Sequence, residues 1–72
     1  MSKLPSFRAR EILEILFREG FEKVRTSGSH IRLRKNDRFV TVPFHSKGTI
    51  PKGTLKSIIH QSGLTMDRFR KR

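Results

Sequence analysis

Gly28-Ser29-His30-Ile31-Arg32-Leu33-Arg34 is the stretch whose reading decides the fold. Its residues alternate: Ile31 and Leu33 point to one side of an extended chain, and His30, Arg32 and Arg34 to the other. Just beyond it, Asn36-Asp37 reads as a two-residue hairpin turn, and Arg38 to Val42 as a returning strand stopped by Pro43. With that turn Leu33 faces Val40 and Ile31 faces Val42, so four apolar residues share one face. The other face then carries the pairs Arg34–Phe39, Arg32–Thr41 and His30–Pro43. Upstream, Phe21 to Thr26 reads as a further strand, with Val24 its clearest inward residue and Ser27-Gly28 the turn. A tight turn there sets Val24 opposite Ile31 and Arg25 opposite His30. The outward face of the sheet is expected to hold Lys23, Arg25, His30, Arg32, Arg34, Phe39 and Thr41.

Two helical patterns flank the strands. Leu4-Pro5-Ser6 opens the first, with Ser6 as the expected N-cap. Ala9, Ile12, Leu13 and Leu16 form its apolar stripe, Ile15 and Phe17 fall at the stripe's edges, and Gly20 fits the residue that ends it. Phe44 to Ile50 is a loop containing His45, Lys47 and Gly48. The second helix runs from Pro51 or Lys52 to Gln61, with Leu55, Ile58, Ile59 and Ser62 inward and Gly63 as its stop. Ile50 and Leu55 have the spacing of a hydrophobic staple around Pro51. Leu64 and Phe69 repeat that spacing around Thr65, which predicts a short terminal helical turn; Arg70-Lys71-Arg72 is a basic tail expected to fray. One apolar stripe per helix and one apolar sheet face predict an α+β domain. It has a three-stranded antiparallel sheet with both helices on one side.

At 72 residues the chain makes a single domain, residues 1–72. It carries 17 Lys+Arg against 6 Asp+Glu, a formal net charge of +11. Such an imbalance points to a polyanionic partner, nucleic acid first and an acidic protein second. With no cysteine, a disulfide framework and a thiolate metal site are excluded. No apolar run approaches the roughly 20 residues of a membrane span. Met1 to Arg10 lacks the apolar core of a secretory signal, so no membrane association and a cytoplasmic location are expected.

The residues also resemble a family, the HicA toxins, small messenger-RNA-cleaving ribonucleases of toxin–antitoxin pairs. The resemblance is carried by Gly20-Phe21, by Gly28-Ser29-His30, and by Val40-Thr41-Val42-Pro43 with His45. Lys52-Gly53-Thr54-Leu55, Ile58 and Gly63-Leu64 complete it. These span nearly the whole chain in the family's order and spacing. Ile50-Pro51 departs from the more usual leucine-lysine pattern, at a helix entry. The resemblance implies an α-β-β-β-α fold of the double-stranded-RNA-binding-domain type and a catalytic role for His30. It also implies a HicB-like antitoxin that covers the active face.

Chemistry agrees with that expectation. RNA needs no cofactor or metal for cleavage, because its own 2′-hydroxyl can attack the adjacent phosphate. Histidine suits the accompanying proton transfers, since imidazole changes charge near neutral pH. Arginines nearby offset the charge that builds on the phosphorus. His30 flanked by Arg25 and Arg32 has this composition; a phosphate-contacting or merely packed sheet histidine is the plainer alternative. His45 is the candidate second acid or base, with a solvated loop residue as its alternative, and His60 reads as a surface residue. Three dispersed histidines make no zinc motif. Lys47 and Lys52 are candidates for holding phosphate beside a helix N-terminus, and solvated lysines are an equal alternative. Phe39 either stacks on a base or covers the stem of Arg34. Gly28 serves turn geometry, and Ser29 shapes the turn rather than attacking. The sequence therefore predicts a metal-independent mRNA endoribonuclease toxin; its rival is a non-catalytic double-stranded-RNA-binding module of the same fold.

Overall fold

The computed structural model describes residues 6–44 and 48–69. His45, Lys47 and the basic tail at 70–72 therefore lie outside the described residues. The elements run α1 (Ala9–Arg18), β1 (Glu22–Ser27), β2 (His30–Lys35), β3 (Arg38–Pro43), α2 (Lys52–Ser62) and a closing 3-10 turn (Met66–Phe69). This is the α-β-β-β-α layout, with the strands in antiparallel order β1-β2-β3.

The β2–β3 hairpin has the register that its alternation demands. Leu33 pairs with Val40, Ile31 with Val42, and His30 with Pro43. Leu33, Val40 and Val42 are wholly buried against the helices, and Ile31 is partly buried. Asn36 takes a positive φ of 54°, which its short polar side chain tolerates in a tight turn. The core they face contains Phe7, Ile12, Leu16, Leu55, Ile58 and Phe69.

Three features of the helices differ from the sequence expectation. Ser6 does not cap α1: Arg8 is the N-cap, and its N–H donates to the Glu11 carboxylate at 2.8 Å. The helix starts late because Phe7 enters the core in extended chain, where its carbonyl accepts the Ile50 N–H at 2.7 Å. Ile15 is buried rather than marginal, because α1 packs against the closing 3-10 turn as well as β3, which widens its apolar arc. Phe17, at the other edge, is 47% exposed.

The helix ends follow their glycines. Phe21 and Gly20 donate backward to the Leu16 and Phe17 carbonyls, a paired C-terminal motif with Phe21 buried behind it. Lys35 of β2 adds its ammonium to the Glu19 carbonyl at 2.7 Å, placing a cation at the negative end of α1. Pro51 is the N-cap of α2, with Ile50 and Leu55 buried on either side of it. Gln61 ties α2 to the sheet margin: its side-chain oxygen accepts the Thr41 N–H at 3.1 Å, and its amide donates to Ser57 at 2.9 Å. An edge donor of β3 is thereby satisfied.

The β1–β2 hairpin is the real departure. Its turn is Gly28-Ser29, not Ser27-Gly28, with Gly28 at a φ of 59° in the first central position. Ser27 faces His30, Thr26 faces Ile31 and Arg25 faces Arg32, after which a bulge at Val24 shifts the pairing. Lys23 then lies opposite Leu33, on the helix-side parity, and Val24 is 50% exposed rather than inward. All six residues of β1 are exposed, because both helices pack chiefly on β3. Among the described residues no helix is long and apolar enough to cross a membrane.

Candidate active site and nucleic-acid interface

His30 is the first residue of β2, held between two partners: Ser27 on β1 and Pro43 on β3. Alternation turns it away from the Ile31–Leu33 face, so it stands exposed on the open side of the sheet. The local backbone is fixed from both sides. The Gly28-Ser29 turn precedes it, and the Ser29 carbonyl accepts the Phe44 N–H at 2.5 Å, which pins the turn to the end of β3. Ser29 thus shapes this corner through its backbone.

Two adjoining depressions share His30 and Thr41 as a common wall. One, of about 510 Å³, lies between the strands and is lined by Val24, Arg25, Ser27 and Arg32. The other, of about 440 Å³, reaches across Pro43 to Gly48, Thr49, Pro51 and Thr54 at the entry of α2. Three of the residues picked from the sequence, Arg25, His30 and Arg32, therefore come together. Lys52 is the first residue of α2, next to the second depression. Arg34 and Phe39 lie further along the same face, paired with each other, and the Arg32 guanidinium carbon sits 4.5 Å from the Phe39 ring centroid. Arg32, not Arg34, is thus the arginine laid over Phe39. Lys23 is not part of this face.

The electrostatics are one-sided. Arg25 and Arg32 are directly opposed across the strands, a like-charge pairing that costs stability in a bare sheet. Among the described residues no ion pair engages Arg25, Arg32 or Arg34. Glu22 faces Arg34 at the far end of the ladder. Such a cluster is relieved by an anion. No group of three His, Cys, Asp or Glu side chains suited to a metal is found among the described residues.

Sequence reasoning placed Thr41 on this face but did not give it a part in the site. It missed the hydroxyls of Thr49 and Thr54, which line the second depression. Pairing arithmetic carries Thr41; nothing in the local sequence shows that the 48–51 segment returns to the end of β3.

The fold and site define a class: a small basic α-β-β-β-α domain with an exposed histidine and opposed arginines on its open sheet. Residues 9–64 match the family model described as the HicA toxin of bacterial toxin-antitoxin, which covers more than half of the chain. The chain belongs to the HicA toxin family. It is a toxin of a toxin–antitoxin pair, and an antitoxin is its partner. No curated protein matches the chain significantly.

Proposed function

We propose that this toxin is a metal-independent endoribonuclease that cleaves messenger RNA, with His30 as its main acid–base group. The observation that carries the reading is the convergence of His30 with Arg25 and Arg32 in one open groove. In the reaction, the 2′-oxygen of a ribose bonds to the adjacent phosphorus and the bond from phosphorus to the 5′-oxygen breaks. The products are a 2′,3′-cyclic phosphate and a free 5′-hydroxyl. One proton leaves the 2′-hydroxyl and one reaches the 5′-oxygen. His30 handles one of these transfers, and His45 is proposed for the other. Arg25 and Arg32 supply positive potential where charge builds on the phosphoryl oxygens. Arg34, Phe39, Lys47 and Lys52 extend the contact to flanking RNA.

A lone acid or base contributes about 10²–10⁴-fold, so turnover is slow. Purified protein should cleave single-stranded RNA in EDTA and leave cyclic phosphate ends. His30→Ala should lose that factor with its circular dichroism unchanged, and His45→Ala should lose less. Equal cleavage by His30→Ala would remove the histidine from the mechanism. Binding without cleavage by the wild type would favour a double-stranded-RNA-binding module instead.

The same reading has a HicB-like antitoxin covering the open face in the cytoplasm, because the basic groove suits an acidic, partly apolar cover. Complex formation should then slow hydrogen exchange in β2; unchanged exchange there would move the antitoxin elsewhere.

A further inference from the structure

Arg32 and Phe39 form a unit that proton transfer does not require. They are not cross-strand partners, since Arg32 faces Thr41 and Phe39 faces Arg34. The arginine therefore leans diagonally across the hairpin to put its guanidinium carbon 4.5 Å from the ring centroid, within cation–π range. Phe39 has no place in the core and stays 40% exposed. A planar guanidinium backed by a ring offers a flat outer face, while its N–H edge remains available to phosphate.

We propose that Arg32 and Phe39 form a stacking platform for one unpaired base of single-stranded RNA. The guanidinium contacts the base, and Phe39 holds it flat as a positioning residue. The proposal rests on the RNA reading above and names its substrate class. Arg32 lies two residues from His30 on the same strand and face, about 6.6 Å along it. A base seated on the platform thus holds a neighbouring phosphodiester close to the imidazole. Paired RNA hides its base faces inside the stack, so the platform selects single strands over duplex.

The test uses 2′-O-methyl oligonucleotides, which cannot be cleaved through the 2′-oxygen, with affinity read by fluorescence anisotropy. Wild type should prefer the single strand over the same sequence in a duplex. Arg32→Lys keeps the charge and loses the plane; it should weaken single-strand binding roughly 5- to 150-fold, the range of one base stack. Phe39→Leu should shift affinity in the same direction by less. An abasic residue, scanned along the oligomer, should weaken the wild type by the same factor at one position and leave Arg32→Lys nearly unaffected there. Wild-type affinity in Arg32→Lys would overturn the platform. So would equal losses for intact and abasic strands, which mark a phosphate contact alone. If the folded wild type binds no RNA, the underlying RNA reading fails; if it binds and both variants match it, only the platform does.

Discussion

The two hairpins share strand β2 yet are held in opposite ways. The β2–β3 hairpin is clamped: Leu33, Val40 and Val42 are wholly buried, and Gln61 of α2 fills an edge donor of β3. A slip of one residue there would turn the apolar set to water, so burial fixes the register. The β1–β2 hairpin has no such constraint. Every residue of β1 is exposed, its ladder is broken by a bulge at Val24, and two arginines oppose each other across it. Stability is concentrated in one hairpin, and the groove with His30, Arg25 and Arg32 is built on the other. That division is expected where a binding face accepts local cost and the core offsets it.

The largest effects should separate the two by packing. Leu33→Ala leaves a cavity at a fully buried site and should cost about 2–5 kcal/mol of unfolding free energy. Val24→Ala, a change of comparable chemistry on the neighbouring strand, should fall within about 0.5 kcal/mol, because half of Val24 is already in water. Urea denaturation measures both. A Val24 loss near that of Leu33 would mean that β1 is covered after all, and the contrast would collapse.

What the sequence made legible follows the same division. The Asn36-Asp37 turn, the Leu33–Val40 register, the inward residues Leu55, Ile58 and Ser62, and the terminal turn ending in Phe69 all carry a burial signal. The structure agrees with each. The expected β1 register fails because Val24 is no inward anchor: among the described residues none covers that strand to hold its apolar residue inward. Moving the turn to Gly28-Ser29 exchanges the partner of Arg25 from His30 to Arg32, and the bulge at Val24 sends Lys23 to the other side. Ser6 failed as a cap for a related reason: Phe7 sits in the core through a long-range contact with Ile50 that local spacing does not reveal. Of the candidate site, the open-face set of His30, Arg32, Arg34 and Phe39 was readable from alternation alone. Thr49 and Thr54 were not, because only the tertiary return of the chain brings them to the second depression beside His30.

A smaller effect tests the clamp itself. Gln61→Ala removes the acceptor of the Thr41 N–H and should cost about 1–2 kcal/mol, the usual penalty for a lost partner at a part-buried group. Hydrogen exchange at the Thr41 amide should speed up markedly, while amides of β1 change little. Acceleration spread evenly over the sheet would show that Gln61 supports the fold globally rather than the β3 margin.

The smallest effect is the most diagnostic, because its sign differs between stability and binding. Arg25→Thr relieves the like-charge pairing with Arg32 and places a good strand former at an exposed position. It should stabilise the protein by about 0.2–0.5 kcal/mol at low salt, a gain that shrinks as salt screens the pair. The same substitution removes a cation from the groove. RNA affinity should fall uniformly across sequences, and the slope of log affinity against log salt should decrease by about 0.7–0.9. A variant that loses stability would show that Arg25 is held by structure. One that gains stability and keeps its salt slope would show that the opposed arginines face no phosphate, removing the electrostatic half of the contrast between the hairpins.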